Sequence, residues 1–267
     1  FFEEVAKFRA ARRIYAKIMK ERFGAKSDKS AHLRFHVQTS GESLTAQQVD
    51  NNIARVTLEA LSAVLGGCQS LHTNSRDEAL ALPTEESVKV ALRTQQIIGN
   101  ETGVTKTVDP LSGSHYLEYL TFEIEQGVEK YLKKIEKIGG SLEAIEKGFF
   151  QEEIRRNAYQ LKKEIDNNDR IIVGVNKFQD QNDVEPKLNT IDPEIEIRQV
   201  KKLKEFKKNR DQTKVSFGLN KLRRLAEKQD ENLMPHIISA VKGHVTLGEI
   251  SDVFVDIFGK YEPKFSF

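Results

Sequence analysis

Leu33-Arg34-Phe35-His36-Val37-Gln38 alternates strictly between apolar and polar side chains, which is the period of a strand and not of a helix. Leu33, Phe35 and Val37 go to one face, and Arg34, His36 and Gln38 to the other. A strand buried on both faces of a parallel sheet reads apolar throughout. Here one face is polar. Two readings stay open at this point. One is an antiparallel or edge strand with one wet face. The other is the wall of a barrel or crevice whose hydrophilic interior holds a polar ligand. A second short strand of the same character is expected between Cys68 and Thr73, with Gln69, Ser70, His72 and Thr73 as its polar members.

Helical patterns lie on either side of these strands. Val5, Phe8, Ala11, Tyr15 and Ile18 recur at three- and four-residue spacing, which predicts a helix over 3–22. Thr45-Ala46-Gln47-Gln48 fits a capping box, with Thr45 as N-cap of a helix carrying Ile53, Val56, Ala60 and Val64. Gly66-Gly67 stops it. Asp77 to Leu82 reads as one helical turn ended by Pro83, and 85–98 as a further helix. Helix, strand, helix, strand, helix is the rhythm of parallel βα units joined by right-handed crossovers. Two strands do not make a stable parallel sheet by themselves, so either other strands come from elsewhere or this is the tail of a larger α/β fold.

The rest of the chain is mainly helical. Asp109 to Ser114 is a dense turn, followed by helices over 117–138, 141–147 and 151–166. Ile171-Ile172-Val173-Gly174-Val175 reads as a buried strand, and 180–193 as a polar linker. Residues 195–229 read as one basic amphipathic helical stretch. Helices over 232–242 and 246–258 close the chain, the last with a capping box from Thr246 to Glu249.

Composition excludes several classes of function. The 267 residues are 38% hydrophobic, enough for a real core, and 42 basic side chains nearly balance 40 acidic ones. That is neither a globally basic nucleic-acid binder nor an acidic solvating protein. Residues 200–229 hold eleven Lys or Arg against three acids, but no aromatics interleave on the basic face, and a solvated helix surface explains them. One cysteine excludes an internal disulfide framework and a cysteine-rich zinc site. The six histidines have no metal-ligand spacing, and neither a nucleophile elbow nor a phosphate loop occurs. No apolar run approaches the ~18 residues of a membrane span. Phe1-Phe2-Glu3-Glu4 enters an amphipathic pattern at once without a starting Met, and the expectation is a piece of something longer.

Three strings together are specific. They are Leu33-Arg34-Phe35-His36-Val37-Gln38-Thr39-Ser40-Gly41, then Gln69-Ser70-Leu71-His72-Thr73-Asn74 with Asp77-Glu78-Ala79-Leu80-Ala81-Leu82-Pro83-Thr84, then Asp109-Pro110-Leu111-Ser112-Gly113-Ser114. They resemble the large, substrate-binding subunits of the methylmalonyl-CoA mutase family, the adenosylcobalamin-dependent acyl-CoA mutases. Phe1 to Arg12, Val173-Gly174-Val175-Asn176 and Phe258-Gly259-Lys260-Tyr261 match as well; 177–232 matches weakly. The resemblance implies an α/β fold: the C-terminal part of a (β/α)8 TIM barrel, contributing its last two strands, followed by a mainly helical region. Residues 1–108 would be the barrel portion, 109–176 a helical post-barrel region, and 177–267 a helical linker toward a cobalamin-binding domain or subunit absent from this chain. In this family the acyl-CoA threads along the barrel axis, which accounts for a polar strand face where barrel interiors are otherwise apolar.

Carried over by position, the resemblance makes His36, Gln38, Gln69 and Ser70 substrate-binding residues, and Glu78, Ala79 and Asn74 residues on the cofactor side. It implies radical 1,2-rearrangement of an acyl-CoA, with (R)-methylmalonyl-CoA and succinyl-CoA as the leading pair. Isobutyryl-CoA, 2-hydroxyisobutyryl-CoA and ethylmalonyl-CoA mutases are the near alternatives, and a non-catalytic half-barrel completing a separate N-terminal half is another. Adenosylcobalamin would be held mainly outside this chain, since no Asp-x-His-x-x-Gly string for the lower cobalt ligand occurs. No catalytic residue and no metal ligand is expected here, and the chain alone should be inactive. The expected partners are the N-terminal part of the large subunit and a separate cobalamin-binding subunit, in a cytoplasmic oligomer without nucleic acid or membrane.

Overall fold

A computed structural model describes residues 1–180, 186–228 and 230–262. Two compact units form, one from Phe1 to Thr190 and one from Ile191 onward.

The first unit begins with α1 (Phe2–Glu21), whose first turn carries Glu3 and Glu4 and whose last turn carries Lys20, charges that complement the helix dipole. Strand β1 (His36–Gln38) follows, then α2 (Asn51–Leu65) and β2 (Ser70–His72). The strands pair in parallel, His36 opposite Ser70, Val37 opposite Leu71 and Gln38 opposite His72. This is the βα crossover that the sequence rhythm implies. The regular ladder is shorter than the alternating segment. Phe35 donates its amide to the Gln69 side chain (2.8 Å) instead of to backbone, although its carbonyl still accepts from Gln69 N (3.3 Å). The alternation itself holds: 34, 36 and 38 are exposed, while 33, 35 and 37 are partly covered. Phe35 stacks on Phe8 of α1, ring centroids 5.2 Å apart. Phe8 also explains Gly66, because a Cβ there would lie 2.5 Å from the Phe8 ring.

Next come α3 (Glu85–Glu101), α4 (His115–Ile138), α5 (Ser141–Glu146) and α6 (Phe149–Asp166). Val5 and Ala6 of α1 bury against Leu117 of α4, with Leu111, Leu120 and Ile124 around them. Ion pairs extend this contact. Arg9 meets Glu118 (2.7 Å), Arg13 meets Glu125 (3.0 Å), Lys17 meets Glu129 (3.4 Å) and Arg22 meets Glu136 (2.5 Å). Both series ascend together, so the two helices run in the same direction. Most of these pairs are solvated and weak. Arg9 is the exception: its side chain is 9% exposed and also reaches Asp109 and Thr121. The Arg9 guanidinium and the Gly113 amide hold the Glu118 carboxyl below its usual range.

Three expectations are corrected in this unit and the next. Thr45 does not cap α2, which starts only at Asn51 after a Gln48 with φ of 47°. The Asn52 side chain takes up the Thr45 backbone instead, as described below. Residues 171–175 are not a strand. Gly174 adopts φ of 82°, only a bridge from Val173 to Lys177 forms, and Asn176 Oδ1 accepts from Ile172 N at 2.7 Å. Without a neighbouring strand, this apolar run closes on itself as a loop. The basic stretch is two helices, α7 (Pro193–Asn209) and α8 (Gln212–Ala226), because Arg210 is extended and Asp211 caps α8. Part of the expected linker, 181–185, lies outside the described residues, as does Gln229.

The second unit packs α8 against α9 (Met234–Lys242) and α10 (Leu247–Phe258). Val215, Leu222, Ala240, Val245, Ile250 and Val253 form its core. The capping box at Thr246 and Glu249 is present as expected. Glu249 does more than cap. Its two oxygens take both Nη atoms of Arg210, at 2.7 and 2.5 Å, and Arg210 is only 4% exposed. Hydrogen bonding from Arg210 holds the Glu249 carboxyl far below its usual range, against the effect of burial.

Removing that carboxylate strands a buried guanidinium. Glu249→Gln is expected to destabilise the second unit by about 3 kcal/mol in urea titrations. Because the folded pKa is depressed, the pair's contribution is fully present above the unfolded value of about 4.3 and is lost as pH falls toward the folded value. Melting curves of the wild type should drop below about pH 4 more steeply than those of the Gln variant.

Candidate functional site

The parallel pair presents its polar side chains together. His36 Nδ1 lies 2.7 Å from Ser70 Oγ across the strands. Gln38 Nε2 donates to Asn74 Oδ1 at 3.0 Å, and Gln69 Nε2 donates to the Gly67 carbonyl at 3.1 Å. His36, Gln38 and Ser70 therefore share one face, with Gln69 next to Ser70 at the start of β2, and all four are exposed. The patch carries neutral donors and acceptors at its centre. At the N-terminal end of the strands it meets a pocket of about 610 Å³ lined by Arg12, Arg13, His32, Arg34 and Gln69. One end is thus cationic, and the middle is uncharged and polar.

The other three expected residues follow β2. Asn74 is 2% exposed, and its Nδ2 donates to Thr39 O (3.1 Å) while its amide donates to Thr39 Oγ1 (2.9 Å). It ties β1's exit to β2's exit and props Gln38. Glu78 and Ala79 are exposed on a turn closed by Glu78 N to Ser75 O and Ala81 N to Asp77 O, each near 3 Å. Asp77 anchors that turn from within, accepting from Thr84 N (3.1 Å) and Ser87 Oγ (2.7 Å). These three residues thus stand on a loop beyond the strand ends, apart from the His36–Ser70 pair.

Two residues at this end went unnoticed in the sequence. Asn52 is fully buried, and its side chain bonds to Thr45, Arg55 and Arg76. Arg55 also donates to the Val173 carbonyl at 2.8 Å. Only the polarity of Asn51-Asn52 at the start of an apolar helical stripe hinted at them. Among the described residues, no group of three His, Cys, Asp or Glu could hold a metal ion.

A parallel β-α-β unit among many helices, with one exposed polar strand face, places the chain among α/β proteins. The methylmalonyl-CoA mutase family model matches residues 1–260, and the chain belongs to that family. It is 47% identical over 262 residues to the 2-hydroxyisobutanoyl-CoA mutase large subunit of Aquincola tertiaricarbonis, covering 98% of this chain and 47% of that one. It is 42% identical over 262 residues to the methylmalonyl-CoA mutase of Rhizobium meliloti (strain 1021), covering 98% and 37%. It is 41% identical over 272 residues to the methylmalonyl-CoA mutase large subunit of Propionibacterium freudenreichii subsp. shermanii, covering 99% and 37%. The chain spans less than half the length of these curated relatives.

Exposure separates a ligand-facing residue from a structural one. His36→Ala should leave unfolding free energy within about 0.5 kcal/mol of wild type, as surface changes do. Asn74→Ala should cost about 1–3 kcal/mol by leaving buried partners unpaired. Denaturant titration of both variants checks the contrast, and a large loss for His36→Ala would assign it to the framework.

Proposed function

We propose that this chain is the C-terminal part of an acyl-CoA mutase large subunit, supplying the last two strands of a (β/α)8 barrel. The observation that carries the reading is the polar face of β1 and β2 with its cationic N-terminal end. A CoA ester has that polarity along its length: anionic phosphates at one end, amides and a thioester beyond. Arg13, His32 and Arg34 suit the phosphates, and His36, Gln38, Gln69 and Ser70 suit the neutral part. Among the described residues no strand other than β2 pairs with β1, which supports the barrel. Phe35 O and Thr39 N point at β2, so the alternation of a parallel ladder turns the backbone groups of His36 and Gln38 to the other side, where a further barrel strand would pair.

The residues suit a rearrangement that develops no charge. Neutral hydrogen bonds from His36 and Gln38 orient the acyl group and cost little when the reacting centre stays uncharged. An oxyanion hole has nothing to hold in such chemistry. Burial of the wet face inside a closed barrel would exclude water from reactive species. Bound adenosylcobalamin would supply the radical by homolysis of a weak Co–C bond. The exposed turn at 75–82 suits one edge of a corrin, with Leu80 (36% exposed) and Leu82 (60%) as an apolar rim beside Ala79 and the Glu78 carboxylate. The cobalt ligand and most of the cofactor contacts would come from a partner domain or subunit. Methylmalonyl-CoA and 2-hydroxyisobutanoyl-CoA, named for the relatives above, are the two substrates to assay.

The test is reconstitution. The chain is assayed with both CoA esters and adenosylcobalamin, first alone, then with an N-terminal large-subunit segment and a cobalamin-binding subunit from a relative. Activity is expected only in the full mixture. There His36→Ala should lower kcat/KM on the order of tenfold, the worth of one hydrogen bond to the acyl group. Turnover by the chain alone, or an unaffected His36→Ala enzyme, would refute the reading.

A further inference from the structure

Asn52 occupies an unusual position. It projects from the first turn of α2 and is fully buried. A carboxamide has two donor hydrogens and an oxygen with two lone pairs. All four are used. Nδ2 donates to Thr45 O (2.9 Å) and to Arg76 O (2.8 Å), while Oδ1 accepts from Thr45 N (3.1 Å) and Arg55 Nη1 (2.8 Å). One side chain therefore joins the loop after β1 to the loop after β2. Arg55 carries the connection on, through Thr45 Oγ1 (2.9 Å) and Val173 O (2.8 Å), to the loop at 171–178. Gln48 adds a second tie to that loop by donating to Phe178 O at 2.8 Å.

With every valence engaged and no exposed surface, Asn52 has nothing left for a ligand. Its effect must pass through what it holds. The Arg76 carbonyl lies at the head of the turn that displays Glu78, Ala79 and Leu80. Arg76 itself spans Asp50 (2.7 Å) and Glu86 (3.3 Å), so the turn is gripped from its backbone and from its side chain. We propose that Asn52 is a positioning residue, which fixes the turn at 75–82 relative to the loop after β1 and so sets the cofactor-facing surface. This rests on the function proposed above. No common substitute reproduces its pattern: Asp offers no donors to two carbonyls, Leu offers nothing, and Gln is a methylene too long for a sealed site.

The test uses Asn52→Asp, with Thr121→Val as a control. Thr121 is equally buried and hydrogen-bonded, but it lies in α4, away from these loops. Hydrogen–deuterium exchange on the chain reads the Glu78, Leu80 and Ala81 amides, which bond within the turn. Asn52→Asp should speed their exchange about tenfold, leaving α4 amides unchanged, and Thr121→Val should do the reverse. If Asn52→Asp fails to fold, Arg55→Gln removes only the outer part of the connection and should speed the same amides about threefold. In the reconstituted enzyme, Asn52→Asp should raise the apparent KM for adenosylcobalamin about tenfold, with the KM for the CoA ester within twofold. Unchanged exchange at 75–82, or a rise in the CoA ester KM alone, overturns the proposal. A wild-type mixture without cobalamin-dependent turnover would overturn the functional reading, while the exchange result still decides the role of Asn52 in the turn.

Discussion

The parallel register that sets Val37 against Leu71 is the constraint on which the first unit depends. Parallel strands cannot be joined by a tight turn, so α2 must lie between them, and its direction fixes which ends of β1 and β2 carry loops. The register also sorts the side chains. Phe35 and Val37 turn toward the helices, and Phe35 finds Phe8. His36 and Gln38 turn the other way with Ser70 beside them. A one-residue slip would invert both faces, burying His36 and exposing Phe35. Apolar packing on one side is thus what holds a set of neutral polar groups aligned on the other.

A sheet of two short strands contributes little stability alone. Around it the chain substitutes other devices. Gly66 lets Phe8 approach the end of α2, and Arg9 links α1 to α4 through a nearly buried guanidinium. Asn74 and Thr39 lock the strand exits to each other. Asn52 and Asp77 then hold the loops beyond them. The polar groups that hold the loops are buried and hydrogen-bonded, and those suited to a ligand are exposed. That division is visible within single segments: in Ser70 to Asn74, Ser70 and His72 face out while Thr73 and Asn74 are sealed.

Much of this could be read from the sequence, for physical reasons. Period-two alternation in 33–38 has no helical reading, and Gly66-Gly67 stops a helix wherever it stands. The capping box at Thr246 and Glu249 was legible because both its partners are local. The same pattern at Thr45 misled, since a buried carboxamide seven residues on competes for the Thr45 backbone. Ile171 to Val175 misled for a related reason: apolar, β-branched composition favours a strand only where another strand lies alongside. His36, Gln38, Gln69 and Ser70 were picked out by the family resemblance; alternation and register account for His36, Gln38 and Ser70 sharing a face, and not for Gln69, one residue out of phase. Asn52 stayed hidden, because nothing in a helical stripe tells a solvated Asn from one that joins two loops.

A structure of this chain combined with an N-terminal large-subunit segment from a relative, determined with a CoA ester bound, tests the central claim most directly. A further strand should pair with the free edge of β1 through the backbone groups of His36 and Gln38. The ester should run from the Arg13–Arg34 end along the wet face, within hydrogen-bond distance of His36 or Gln38. A helix or solvent against that edge, or an ester bound elsewhere with the wet face filled by protein, would contradict it.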